Sequence, residues 1–231
     1  MESQHPSYKS SFERLVRMGT HDLKEALRMV STYLGLLNRE AKDSLNEEQQ
    51  SYLKYAMEGS TRLTHLIEAL GKYARAAAIP PQHSEVSTEK VISNVCRKWE
   101  TVAVRPIQWQ IGKLPALWGD VELIHDLFDR LISNAIKFTP PDHQIHISIQ
   151  GKEDAGFSVI RISDEGIGIG EEFMASLFEP FHREHPRKEY PGVGLGLAYC
   201  REITELHRGR IRAESQNGKG STFEVAFPQK V

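Results

Sequence analysis

The stretch DEGIGIG at residues 164–170 is followed by a second glycine-rich stretch, GVGLGLA, at residues 192–198. A glycine inside a regular element costs roughly 0.5–1 kcal/mol, because it loses more backbone freedom on folding than other residues. Such glycines are therefore typical of turns with φ > 0 and of places where the backbone approaches a ligand closely. Clustered N–H groups followed by a helix N-terminus attract anions. The two stretches thus predict a phosphate-binding site in the C-terminal half of the chain.

The segments around the glycine stretches predict a mixed α+β sandwich. Alternating apolar and polar residues indicate two pairs of neighbouring strands: HQIHISIQ (143–150) with FSVIRIS (157–163), and GRIRAES (209–215) with STFEVAF (221–227). Shorter strands are expected at 107–112 and 114–118. Helical periodicity predicts helices over about 88–102, from a cap at Asp120 to about Lys137, and over 195–208. Because strands and helices interleave without strict βαβ repetition, an α+β sandwich is favoured over a parallel sheet.

In the N-terminal half, the spacing of the apolar residues is that of helices and not that of strands. Apolar residues recur at helical spacing over 8–40, and a second helix is predicted to start at an Asn46 cap and to end before Pro80 and Pro81. Two long helices joined by a short loop form an antiparallel hairpin, which leaves apolar surface uncovered. Dimerisation into a four-helix bundle covers that surface and is favoured over packing of the hairpin on the C-terminal half of the same chain.

Composition narrows the class of protein. The 231 residues include 29 Lys and Arg against 31 Asp and Glu, and this balance argues against a nucleic-acid-binding protein. No apolar run is long enough for a spanning helix and no signal peptide opens the sequence, so we expect no direct membrane contact of this segment and a cytoplasmic location. Cys96 and Cys200 have no metal-ligand spacing and are interpreted as reduced core thiols.

Five segments in order resemble the sequence boxes of the sensor histidine kinases of two-component systems. They are RMGTHDLKEALRMV (17–30, the H box), SNAIKF (133–138, the end of the N box), DEGIGIG (the first glycine box), FEPFHR (178–183, the F box) and GVGLGL (the second glycine box). The resemblance covers roughly residues 12–229 and is greatest to phytochrome-like kinase modules. It implies a HisKA-type dimerisation and phosphotransfer hairpin at 12–78, a linker at 79–84 and a GHKL (HATPase) catalytic domain of Bergerat type at 85–231. Residues 1–11 are interpreted as a linker or an expression remnant.

The resemblance implies that His21 is the phosphoacceptor. A neutral imidazole has a lone-pair nitrogen that attacks a γ-phosphoryl group, and its pKa keeps that form available near neutral pH. Asp22 matches the acidic neighbour that accepts the other ring N–H and fixes the tautomer. Asp126 matches an acidic N-box position that acts as a base or an orienting group.

The resemblance also implies that ATP and Mg²⁺ are bound in the C-terminal domain. Asp164 matches the carboxylate that accepts a hydrogen bond from the adenine amine, and Asn134 matches the ligand for Mg²⁺, which prefers oxygen ligands. Lys137 and Arg183 match cations near the phosphates. The glycines that match the two nucleotide-binding boxes are Gly166, Gly168, Gly192, Gly194 and Gly196.

Three positions depart from the pattern of the family. Arg130 stands where the first N-box Asn is usual; an arginine there either clamps phosphate in its place or repels Mg²⁺. Ala26 replaces the usual Pro five residues after His21, so the helix should be straighter. Glu25 stands where relatives with phosphatase activity often carry Thr or Asn.

The expected function is therefore that of an ATP-dependent protein-histidine kinase. It would autophosphorylate His21 and pass the phosphoryl group to an aspartate of a response regulator, as a homodimer controlled by an upstream sensor. The alternative, motivated by Arg130, is a degenerate kinase that acts as a dimeric binding scaffold. A chaperone or topoisomerase relative with the same nucleotide-binding fold is less favoured, since those proteins lack a His-Asp hairpin upstream.

Overall fold

The computed structural model describes residues 6–41, 44–78, 80–184, 189–190 and 192–230, with the backbone alone at 6–18, 20–21 and 73–78. The chain forms two compact units, 1–79 and 80–231. The division falls next to Pro80 and Pro81, in the segment where the sequence predicted a boundary.

The first unit consists of two long helices, α1 (Pro6–Ala41) and α2 (Glu47–Ala78), which pack against each other. Residues 6–11, expected to be a linker, are helical; Pro6 is tolerated there because the first helical position needs no N–H donor. The predicted cap of α2 is confirmed. Asn46 Oδ1 accepts a hydrogen bond from Gln49 N at 2.9 Å, and Gln49 Oε1 accepts one from Asn46 N at 3.0 Å, which together form a capping box.

The second unit, residues 80–231, contains seven strands and four helices in its described part. They are, in chain order, β1 (Ser84–Val86), α3 (Thr88–Val102), β2 (Ile107–Ile111), β3 (Leu117–Gly119), α4 (Val121–Lys137), β4 (Ile145–Asp154), β5 (Phe157–Asp164), α5 (Glu171–Met174), α6 (Gly196–Leu206), β6 (Arg210–Ser215) and β7 (Ser221–Pro228). The predicted α+β class, a helical hairpin followed by an α/β sandwich, is confirmed.

Five strands form one sheet in the order β2-β4-β5-β7-β6, in which β2 runs parallel to β4 and the other pairs are antiparallel. β1 and β3 form a separate antiparallel pair. A strand was expected at 114–118, but pairing begins at Leu117. Pro115 has no N–H to donate to a ladder, which explains the later start. The short elements β1 and α5 were not predicted from the sequence.

The core of the second unit lies between this sheet and the helices. On β4, Ile145, Ile147 and Ile149 are buried, while the residues between them are partly exposed. α4 packs on both α3 and α6 and buries Leu127 and Phe128 completely. This packing fixes which side of α4 enters the core and leaves the other side of the helix outside it.

None of the helices in the described parts of the chain combines the length and the apolar character that crossing a membrane requires.

Candidate nucleotide site

Helix α4 supplies one wall of a cavity in the α/β unit. Asp120 caps the helix, since its Oδ1 accepts hydrogen bonds from Glu122 N (3.0 Å) and Leu123 N (3.2 Å). Arg130, Asn134 and Lys137 follow at i, i+4 and i+7, a spacing that places them on one face of the helix, and all three line the cavity. The amphipathic pattern of α4 therefore exposes this polar row while its apolar side enters the core.

The first glycine stretch follows directly after β5, which ends at Asp164. Asp164 Oδ1 accepts hydrogen bonds from the backbone N–H groups of Gly166 (2.9 Å) and Ser221 (3.3 Å). A Cβ atom at residue 166 would lie 2.7 Å from the carbonyl oxygen of Phe138. Gly168 has φ +72°, and a side chain there would collide with the Gln216 carbonyl. The glycines are thus required because the turn is pressed against two other loops.

The Asp164 carboxyl group is an acceptor in a sheltered position. Burial raises its pKa to about 6, against the opposing effect of the two N–H donors. Within the described residues its second oxygen, Oδ2, accepts no hydrogen bond. A carboxylate oxygen without a donor, at the edge of a cavity, suits a ligand that brings an N–H group of its own.

The second glycine stretch closes the cavity on another side. Gly194 has φ +78°, and a Cβ atom there would lie 2.8 Å from the carbonyl oxygen of His182. Gly196 is the first residue of α6, and a Cβ atom there would meet nothing within 4 Å. The N–H groups of the first turn of α6 have no intrahelical acceptors, which makes this helix end attractive to anions.

Lys137 and Arg183 place two cations together in the cavity. Burial, and then the positive charge of Arg183, lower the pKa of Lys137 to about 8. Arg183 donates hydrogen bonds to the carbonyl oxygens of Tyr190 (2.8 Å) and Gly192. Lys137 Nζ lies 4.0 Å from the centre of the Phe138 ring and forms no ion pair with a carboxylate of the described residues. Two cations that repel each other in this way are stabilised by a bound anion.

The cavity has a volume of about 260 Å³ and brings together most of the site residues that were predicted from the sequence. Those that line it are Asn134, Lys137, Asp164, Gly168, Arg183, Gly192, Gly194 and Gly196. Gly166 is not among the lining residues and acts through the shape of the turn. Asp126 lies on α4 one turn before Arg130, also outside the lining. The roles of these residues stay predictions.

The two predicted catalytic residues of the hairpin lie on α1. Asp22 is exposed, and the backbone of His21 is helical, whereas the His21 side chain lies outside the described residues.

The donor set of the cavity fits a nucleotide with Mg²⁺. No cluster of three or more His, Cys, Asp or Glu side chains that could hold a metal occurs in the described part of the chain. Mg²⁺ usually keeps several waters and takes one or two protein ligands together with substrate phosphates. Asn134, which lines the cavity and carries an amide oxygen, is the residue that would contact it.

Sequence reasoning missed the contribution of the β6–β7 turn. Ser215 Oγ accepts a hydrogen bond from Ile169 N (2.9 Å) and donates one to the Gly220 carbonyl (2.7 Å). Gly220 has φ +78°, and a side chain there would collide with the Asp164 carbonyl. Gly218 N also donates to the Ile167 carbonyl at 2.6 Å. The glycines of QNGKG were interpreted only as a hairpin turn, and nothing local in the sequence links them to a stretch fifty residues away.

Comparison with known families agrees with this geometry. Residues 13–78 match the model described as "His Kinase A (phospho-acceptor) domain". Residues 119–231 match the model described as "Histidine kinase-, DNA gyrase B-, and HSP90-like ATPase". Together the two models account for most of the chain, in the order that the sequence boxes predicted. The chain belongs to the sensor histidine kinases.

Phytochromes are among the relatives that this chain resembles. It is 31% identical over 226 residues to the phytochrome-like protein Cph1 of Synechocystis sp., and 34% identical over 224 residues to cyanobacterial phytochrome A of Nostoc sp.. In each case the match covers 95% of this chain but only 29% of the relative. The predicted similarity to phytochrome-like kinase modules is thus confirmed, and the chain spans less than a third of the length of these relatives.

Solved structures of histidine kinases share the fold. A crystal structure of full-length ShkA in complex with AMPPNP has a TM-score of 0.68 at 22% identity, covering 94% of this chain and 46% of that one. The histidine kinase AdeS of Acinetobacter baumannii has a TM-score of 0.61 at 22% identity, covering 89% of this chain and 98% of that one.

Proposed function

We propose that this chain is the kinase module of an ATP-dependent protein-histidine kinase. It binds ATP with Mg²⁺ in the α/β unit, transfers the γ-phosphoryl group to His21 in the same or the partner subunit, and passes it to an aspartate of a response regulator. The proposal rests on membership of the family and on one observation above all. In a single cavity, the sheltered Asp164 carboxylate and the partly buried cations Lys137 and Arg183 offer complementary contacts to a purine amine and to phosphates.

The residues of the cavity bind and orient the nucleotide. Asp164 Oδ2 accepts a hydrogen bond from an exocyclic N–H₂ group, which favours adenine over a base with a carbonyl at that edge. Lys137, Arg183 and the N–H groups at the start of α6 neutralise the phosphates. Mg²⁺, when bound at Asn134, supplies further neutralisation of the charge that develops on the transferred phosphoryl group.

In the hairpin, His21 is the proposed nucleophile and Asp22 its orienting partner. A neutral imidazole attacks phosphorus with one nitrogen, while a carboxylate on the other N–H holds the required tautomer. The exposed apolar residues of α1 and α2 are the proposed homodimer interface, and a response regulator and an upstream sensor are the proposed protein partners.

The proposal is tested by autophosphorylation with γ-labelled ATP and Mg²⁺. We expect label on the wild-type chain that is lost on acid treatment, because a phosphoramidate is acid-labile, and no label on a His21→Gln variant. The variant His65→Gln, which removes a histidine elsewhere in the hairpin, is the matched control and should be labelled like the wild type.

Acid-stable label, or equal label on the His21→Gln variant, would contradict the assignment of His21. Tight ATP binding without any phosphohistidine would favour the scaffold alternative.

A further inference from the structure

Arg130 occupies an unusual electrostatic position in the cavity. Its side chain lines the cavity one turn before Asn134 on the same face of α4. It donates no hydrogen bond and forms no ion pair within the described residues, although a guanidinium carries five donors. A permanently charged group in this state is available to a ligand that enters the cavity.

A buried tyrosine anchors the acidic neighbour of Arg130. Tyr199 lies in the first turn of α6 and is almost fully buried. Its hydroxyl group donates a hydrogen bond to Asp126 Oδ2 at 3.1 Å. Asp126 precedes Arg130 by four residues and therefore lies on the same side of α4. The contact ties the α4 segment that carries Arg130 to the helix that begins at the second glycine stretch.

The three groups are electrostatically coupled. Burial, followed by the negative charge of Asp126, raises the pKa of Tyr199, whereas the positive charge of Arg130 opposes that shift. The same two charges act in opposite directions on the buried thiol of Cys200. Asp126 and Arg130 therefore both lie near the same buried groups, and no ion pair among the described residues occupies the donors of Arg130.

Arg130 and Lys137 are the two cations on this face of α4, and Arg130 keeps its positive charge over a wider range of pH than Lys137 does. The pKa of Lys137 is lowered to about 8, so part of its positive charge is lost as the pH approaches that value. An arginine stays protonated throughout this range and presents a planar fork that matches phosphate oxygens. Of the two cations on this face of α4, Arg130 therefore keeps its charge over the wider range of pH.

We propose that Arg130 binds the phosphate chain of the nucleotide directly, in a position held by Asp126 and Tyr199, and thereby makes ATP binding by this chain only weakly dependent on Mg²⁺. Asp126 and Tyr199 are positioning residues in this arrangement. The inference rests on the proposed function, because it assigns a further residue to the same nucleotide site.

The test is a calorimetric titration of the whole chain with ATP, and separately with adenosine, in the presence of Mg²⁺ and in excess EDTA. For the wild type, we expect the affinity for ATP in EDTA to lie within about tenfold of that with Mg²⁺. Arg130→Asn should weaken metal-free ATP binding by about 10–100-fold, the usual effect of losing charge-assisted hydrogen bonds. It should weaken binding less when Mg²⁺ is present, and leave adenosine binding unchanged. Arg97→Asn removes the same charge from the exposed face of α3 and is the matched control.

Tyr199→Phe separates positioning from simple stability. It deletes only the hydroxyl group, and it should weaken metal-free ATP binding several-fold without changing adenosine binding. A general loosening of the fold would weaken both ligands equally. Arg130→Lys keeps the charge but loses the fork, and should give an intermediate affinity for ATP.

Equal metal-free ATP affinity of the wild type and Arg130→Asn would overturn the inference, and wild-type behaviour of Tyr199→Phe would overturn its positioning part. These outcomes differ from failure of the proposed function, in which the wild type would bind neither ATP nor adenosine under either condition.

Discussion

The hairpin and the α/β unit bury their apolar residues to very different degrees. Among the described residues, the hairpin buries the side chains of Leu53, Ser60 and Ile67, whereas the α/β unit buries nearly all of its strand and helix cores. Large hydrophobic side chains instead stay exposed on the hairpin: Leu23, Met29, Val30, Tyr33, Leu37, Tyr52, Tyr55 and Leu63. The α/β unit is thus a complete core, while two helices alone cannot enclose one.

This difference separates two kinds of stability. In the α/β unit, stability depends on contacts within one chain and should not vary with protein concentration. In the hairpin, much of it should come from a second copy of the chain, so that folding and association are linked. The three tryptophans, Trp99, Trp109 and Trp118, all lie in the α/β unit, so their fluorescence reports on that unit alone.

The largest effect is expected from truncation of the α/β core. Phe128 is completely buried on α4, and Phe128→Ala should lower the free energy of unfolding by about 3–5 kcal/mol, since both transfer energy and a cavity are involved. Urea unfolding followed by tryptophan fluorescence measures this change. The midpoint should be independent of protein concentration; a midpoint that rises with concentration would mean that this unit also depends on a partner.

Changes on the exposed apolar face of the hairpin should weaken dimerisation and leave the stability of the α/β unit unchanged. Val30 and Leu37 are 50% and 45% exposed and lie seven residues apart on one side of α1. The double variant Val30→Glu with Leu37→Glu should weaken dimerisation by about 2–3 kcal/mol, because it removes apolar area from the proposed interface and places like charges there. Sedimentation equilibrium measures the dimer constant.

The tryptophan-monitored midpoint of this double variant should equal that of the wild type. Thr61→Glu, at an exposed polar position of α2, is the control and should leave the dimer constant nearly unchanged. A dimer constant for the double variant equal to that of the wild type would exclude this face as the interface.

Within the α/β unit, the Asp164 carboxylate that forms part of the nucleotide site is expected to lower the free energy of unfolding at neutral pH. Its pKa is raised to about 6, above the value of about 3.9 in an unfolded chain. Between these values the folded state holds more protons than the unfolded state, so stability should fall as the pH rises through about 6. Asp164→Asn should therefore raise the free energy of unfolding at pH 7 by about 1–2 kcal/mol, allowing for partial solvent access.

Unfolding of the wild type and Asp164→Asn between pH 4 and pH 8 is the measurement, and the two curves should converge towards the acidic end. The same variant should lose ATP binding, because an amide N–H₂ group facing the adenine amine is a donor opposite a donor. A less stable variant at pH 7 would contradict the account of this carboxyl group.

Local sequence signals predicted most elements of both units. The α3 and α4 boundaries, the Asn46 and Asp120 caps and both antiparallel strand pairs follow from periodicity and short-range hydrogen bonding, and the structure confirms them. Most of the residues predicted for the nucleotide site also line one cavity, since each belongs to a short segment with a recognisable composition.

The remaining features depend on contacts between distant segments. β1 has three residues and exists because β3 pairs with it, which no local pattern reveals. Ser215 and Gly220 support the turn after Asp164 through contacts that form only when β5 and β7 lie side by side. The hydrogen bond between Tyr199 and Asp126 likewise joins two residues that are seventy-three positions apart in the sequence. The sequence around Tyr199 predicts only an aromatic residue of the core.

The smallest effect distinguishes the helix caps of the two units. Asn46 caps α2 with a neutral amide, whereas Asp120 caps α4 with a carboxylate whose Oδ2 also accepts a hydrogen bond from Gln82 N at 3.0 Å. Burial alone would raise the pKa of Asp120, but the backbone N–H donors of Gln82, Leu123 and Glu122 outweigh it, so the pKa is lowered. A lowered pKa contributes stability above the unfolded value of about 3.9, and this contribution is lost as the pH falls through the folded value.

Asp120→Asn keeps the capping oxygen and removes the charge, so the loss should be less than about 1 kcal/mol at pH 7. Its difference from the wild type should shrink as the pH falls below about 4, because the carboxyl group of Asp120 takes up a proton first in the unfolded chain and, at lower pH, in the folded protein. Tryptophan-monitored urea unfolding at pH 3, 5 and 7 measures this difference.

Asn46→Ala, in contrast, should lower the stability of the hairpin by about 1 kcal/mol at every pH. This loss should be seen as lost helical ellipticity with an unchanged tryptophan signal. A pH-dependent effect at Asn46, or a constant one at Asp120, would show that the two caps do not differ in the way their chemistry requires.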